Sequence, residues 1–129
     1  MSWINGPRTF QSGSGGVTAC RLVKLSSGKI VLNTATATDD PIGVALSDAL
    51  ENDYSGVQFL AKDGTVELCA AGAITAGAEV YAAASGKVQA LPAAAATYRK
   101  IGIALGAASG DGAMIEVLPY DYQATTTIS

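Results

Sequence analysis

The chain has 129 residues, 49% hydrophobic and 15% charged, enough for one domain or two small lobes and too apolar for a disordered polymer. A net charge of −3 with no Lys/Arg cluster argues against nucleic acid and against a polybasic membrane contact, and no apolar stretch approaches the ~20 residues of a bilayer span. Histidine is absent, which removes the commonest general base and metal ligand.

Taken in chain order, residues 1–16 read as an extended N-terminal arm ending in Gln11-Ser12-Gly13-Ser14-Gly15-Gly16, a linker composition. The first eight residues lack the basic-then-apolar layout of a signal peptide, so synthesis in the cytoplasm is expected. Trp3 and Ile4 in the arm, with Phe10 near its base, are apolar where a monomer has little use for them. Burying each would contribute roughly 1.5–3 kcal/mol. Fixing a dozen backbone residues costs about 1 kcal/mol each or more. The three residues therefore make a candidate partner-binding arm, ordered only when a partner also supplies backbone pairing.

Residues 17–119 read as a β domain. Cys20–Leu25 and Ile30–Asn33 form a hairpin around Ser26-Ser27-Gly28-Lys29, where glycine supplies the positive φ of a tight turn. Ile42, Val44 and Leu46 then alternate with small residues, as do Val57, Phe59 and Ala61. Lys62-Asp63-Gly64 turns the chain into Thr65–Cys69. Four further strands follow at Glu79–Ala83, Val88–Leu91, Ile101–Leu105 and Ala113–Leu118. Pro92 before Ala93–Ala96 could open one short helix, and Ser47–Leu50 a single helical turn. Residues 120–129 form a polar C-terminal tail with β-prone threonines.

The domain repeats itself. Thr18-Ala19 recurs as Thr75-Ala76, Ser27-Gly28-Lys29-Ile30 as Ser85-Gly86-Lys87-Val88, and Ile42–Leu46 as Ile101–Leu105. Val57 aligns with Ile115 on the same basis. These matches define pseudo-repeat units of about 17–70 and 73–119. The expected architecture is all-β, a small compact β-barrel or sandwich with internal pseudo-two-fold symmetry.

Chemistry is sparse. Asp39-Asp40-Pro41 reads as a turn, and Asp48, Glu51 and Asp53 as a solvated loop without the spacing of a calcium site. Gly106–Gly112 lacks the Lys-Ser/Thr of a phosphate-binding loop. Cys20 and Cys69 do not make a zinc constellation and read as reduced thiols. No catalytic residue, cofactor site or metal site is expected, and an enzyme is the least supported class.

The segments Ala73–Tyr81, Ser85-Gly86-Lys87-Val88, Ile101–Leu105 and Pro41–Ala45 resemble the capsid cement, or head-decoration, proteins of tailed bacteriophages. The resemblance spans roughly residues 17–119 and rests on hairpins of small residues rather than on a chemical site. It implies a structural virion protein on the outer surface of an expanded capsid. There it would bridge subunits of the major capsid protein, commonly as a trimer at local three-fold positions. Two alternatives are a small glycan- or peptide-binding β-barrel and a tail or fibre component. The binding module would want an aromatic platform, and Tyr54, Phe59, Tyr81 and Tyr98 are scattered in sequence.

Overall fold

The computed structural model describes residues 7–61, 64–120, 122 and 124–129. Within them the chain forms eleven strands and one short 3-10 turn. The strands are β1 (Arg8–Gln11), β2 (Leu22–Ser26), β3 (Lys29–Leu32), β4 (Pro41–Ala45), β5 (Tyr54–Phe59) and β6 (Val66–Cys69). The second half supplies β7 (Glu79–Ala82), β8 (Val88–Gln89), β9 (Ala96–Ala104), β10 (Met114–Pro119) and β11 (Thr125–Ile128). All strand pairings are antiparallel, and the two sheets form a compact sandwich rather than a closed barrel.

The two sheets share one topology. The first runs β1-β5-β4-β2-β3 and the second β6-β10-β9-β7-β8, with β11 added along the first half of β9. The correspondence extends to single residues. Leu22 pairs with Val44 as Glu79 pairs with Ile103, and Val23 with Gly43 as Val80 with Gly102. A β-bulge follows Val23 in one sheet and Val80 in the other, which bends each strand at the same place. Each sheet curls until its edges meet at one parallel bridge, Ser12–Ile30 and Ala70–Val88. The hairpin turns also match: Ser27 and Gly28, like Ser85 and Gly86, all have positive φ, the backbone of a tight two-residue hairpin turn.

This register moves two sequence-based alignments. Val57 opposes Ala45 as Val117 opposes Ala104, so the counterpart of Val57 is Val117, two residues beyond Ile115. Thr65–Cys69, read with the first unit, gives β6 of the second sheet, and its counterpart is β1. Arg8–Gln11, read as part of the arm, pairs along β5 of its own chain. The expected short helix at Ala93–Ala96 is absent, because Ala96–Arg99 extends instead as the first half of β9, where β11 supplies its ladder partners.

Two apolar clusters hold the sandwich together. Val17, Val23, Ile30, Ala45, Ala49 and Val57 fill the curl of the first sheet, with Phe10, Leu32 and Ile42 packed beside them. The larger cluster fills the curl of the second sheet with residues such as Leu68, Val80, Val88, Ile101, Ile115 and Val117. Leu22, Val44 and Leu60 of the first half belong to this second cluster. Leu22 and Val44 are adjacent to Val23 and Ala45, and successive strand residues face opposite ways. The first sheet is therefore apolar on both faces, its outer face docking on the second sheet. At ~1.5–3 kcal/mol for each fully buried aliphatic side chain, Leu22, Val44 and Leu60 make this a firm union.

Candidate interaction surfaces

Of the three arm residues, Trp3 and Ile4 lie outside the described residues, and Phe10 lies on β1. Its ring meets Phe59 edge to face, centroids 6.2 Å apart at 89°, a favoured aromatic geometry. The Arg8 guanidinium lies over the Phe10 ring, 4.8 Å from its centroid. A groove of about 790 Å³ opens here, lined by Arg8, Phe10, Leu25, Ile42, Phe59 and Arg99 among others. Phe10 is thus at once part of the first sheet's packing and part of an open apolar surface where residues 1–6 join the body.

The carboxylates tie loops. Asp39 accepts from the Thr34 hydroxyl and pairs with Lys24 Nζ at 2.9 Å. The Thr34 hydroxyl, then the Lys24 ammonium, hold its carboxyl below the ordinary aspartate range. Asp40 pairs with Arg99 at 2.8 Å, and Arg99 also donates to Ala37 O, fixing the loop before β4. Asp48 accepts from the Ala19 amide at 2.8 Å, and Glu51 from the Gly15 amide at 3.5 Å. Among the described residues no three potential metal ligands cluster.

The thiols are quiet. Cys20 and Cys69 are both free, and Cys69 at the end of β6 meets Cys20 in the turn before β2, where the Cys69 amide donates to Cys20 O at 2.8 Å. Cys20 Sγ donates to the Glu67 carboxylate at 3.4 Å. Partial burial, then Glu67, push its thiol pKa upward, away from the thiolate that a nucleophile needs.

Sequence reading missed a second surface. Leu46 and Leu105, the last residues of the predicted strands Ile42–Leu46 and Ile101–Leu105, are both exposed, just past the ends of β4 and β9. Leu105, Met114, Leu118 and Tyr120 are all exposed on or beside the outer side of β9–β10. The only trace in the sequence was the pairing of Leu46 with Leu105 in the repeat, which says that the positions match and not which is covered.

Residues 9–119 match the family model described as phage cement protein. The chain belongs to the phage cement protein family. This cement protein is a structural component of the virion and associates with the capsid. Its fold is similar to that in the crystal structure of the head fiber gp8.5 N base of bacteriophage phi29, with a TM-score of 0.69 at 18% identity over 92% of this chain and 98% of that one. No curated protein matches the chain.

Proposed function

We propose that this cement protein decorates the outside of an expanded capsid, bridging neighbouring subunits of the major capsid protein and resisting internal pressure without turnover. Self-association, as a trimer at local three-fold positions, is part of the reading, as is synthesis in the host cytoplasm before assembly. The observation that carries it is the family match over nearly the whole folded body, residues 9–119. The groove at Phe10 supports it, because Arg8, which lines it, follows Ile4 by only four positions in the sequence. Many copies on one shell reinforce one another, so modest affinity per copy suffices. Residues 1–6 act as a docking arm, with Trp3 as its largest apolar anchor.

A second reading, the base of a fibre projecting from the head, is favoured by the likeness to the head fiber base. Sedimentation of the purified protein with undecorated expanded capsids, beside a tail-only control, tests both. Saturable binding to capsids alone is expected, and removal of residues 1–6 or Trp3→Ala should weaken it without lowering the melting temperature. Binding to tails, or to neither particle, overturns the decoration reading. Unchanged occupancy after the truncation removes the docking role of the arm.

A further inference from the structure

Because the two halves share a fold, equivalent faces can be compared directly, and they differ in what covers them. The outer face of the first sheet is covered by the second. Leu22, Val44 and Leu60 there are 0%, 3% and 1% exposed, and Asn33 is fully buried. Their counterparts in register are Glu79, Ile103, Tyr120 and Leu91. These are less covered: Ile103 is half-buried, Glu79 pairs with Lys100, whose ammonium also lies over the Tyr120 ring 4.7 Å from its centroid, Tyr120 is 53% and Leu91 41% exposed, and the neighbouring Leu105 and Leu118 are 48% and 39% exposed. An outer face that is core in one half is largely exposed in the other, with apolar side chains beside the Glu79–Lys100 pair.

The covering elements are known as well. The first sheet's face sits between β6 and the Ser85-Gly86 turn: the Cys69 amide donates to Cys20 O, and the Gly86 amide to Asn33 O, both at 2.8 Å. Gly86 is buried there, and a Cβ on it would stand 2.6 Å from Leu22 O. The counterparts of these elements are β1 and the Ser27-Gly28 turn, which are exposed at Arg8, Thr9, Ser27 and Gly28 with open space around Gly28. The molecule thus has one unfilled receiving surface and one uncovered face of the kinds that already fit each other inside it. Charge adds to the fit: Arg8 and Lys29 lie at the receiving surface and Glu116 on the face, where Glu79 is already paired with Lys100.

We propose that the outer face of β9–β10 in one copy docks on β1 and the β2–β3 turn of a second copy, repeating between molecules the contact that joins the two halves within one. The Gln11 amide then donates to Gly77 O of the neighbour, as Cys69 donates to Cys20 O. Such a contact is heterologous, joining two different surfaces, so it closes into a ring or propagates as a chain. It specifies the self-association in the function proposed above and rests on that part of it.

Sedimentation velocity without capsids tests it. Wild type should associate increasingly with concentration. Leu105→Glu with Leu118→Glu disables the face, and Arg8→Glu with Gly28→Asn disables the receiver, Asn being tolerated at positive φ. Each variant alone should weaken association about tenfold or more while melting like wild type. Mixed in equal amounts, the two variants should give a 1:1 pair and nothing larger, since each retains one good surface. A wild type that stays monomeric, variants that associate like wild type, or a mixture that does not pair overturns the proposal. Capsid sedimentation of the same variants reads the decoration function separately: a monomeric wild type whose face variant loses capsid binding assigns that face to the capsid and refutes the docking.

Discussion

Gly43→Ala and Gly102→Ala should each destabilise the protein, and by similar amounts. A Cβ at Gly43 would meet the backbone oxygen of Gln58 and Val57 Cγ1, the latter at 2.8 Å. At Gly102 it would meet the Leu118 carbonyl group, its carbon at 2.9 Å. Real Cβ atoms essentially never come within 3.0 Å of another heavy atom, so something must shift. The nearest obstructing atom at each site is a backbone oxygen of the adjacent strand, which cannot swing aside as a flexible side chain can. Forcing extra volume into a packed site costs about 1–3 kcal/mol. Displacing β5 or β10 also stretches ladder hydrogen bonds worth about 0.5–1.5 kcal/mol each. The expected loss is about 2–4 kcal/mol per variant. With a urea slope of about 1–3 kcal/mol per molar, the unfolding midpoint should fall by roughly 0.7–4 M at unchanged slope. Gly106→Ala is the control, since nothing lies within 4 Å of its Cβ position and the change should stay within about 0.5 kcal/mol. A Gly43 or Gly102 variant as stable as that control would refute the close approach. Strongly unequal costs would refute the equivalence of the two sites.

Ser12 is fully buried at the bridge to Ile30, its Oγ has no hydrogen-bond partner among the described residues, and its counterpart across the bridges is Ala70. Ser12→Ala should therefore stabilise by about 1 kcal/mol, read as a raised melting temperature, and a loss would mean that the hydroxyl is satisfied by water. Asp39 is held below its ordinary value of 3.8 by Thr34 and Lys24, so it contributes stability that is present above that value and is lost as pH falls through its lowered folded value. Asp39→Asn should be less stable than wild type at neutral pH, the gap closing below about pH 4 in urea titrations; a gap that persists at acid pH would show that the effect is steric.

Much of this architecture was legible. Positive-φ turns at Ser27-Gly28 and Ser85-Gly86, with flanking β-branched alternation, announced two hairpins and hence a duplicated all-β body. The limits of the repeat were not. Arg8-Thr9-Phe10-Gln11 and Val66-Glu67-Leu68-Cys69 occupy the same place in the two sheets but share only an apolar third residue. Four residues with one match carry no detectable signal, so β1 read as part of the arm. The Val57 alignment slipped by two because Ile115 and Val117 are both apolar, and only the ladder decides which opposes Ala104. The alanine run after Pro92 has helical propensity, but propensity is a weak prior against a paired strand. Phe10 was legible as an apolar residue near the base of the arm, whereas its packing against Phe59, 49 residues away, was not. The exposed face of β9–β10 was hard to see because similar strand patterns such as Ile42–Leu46 and Ile101–Leu105 do not say which face another sheet covers.

The antiparallel register of Arg8–Gln11 against Val57–Tyr54 has a mechanical consequence. Tension delivered through residue 7 along the strand enters the body as sliding of β1 past β5. Sliding loads every bond of that ladder together, whereas peeling would break them one after another. A tether fastened this way yields late and abruptly, and at this joint its strength is set by strand length and registry rather than by the affinity of any one side chain.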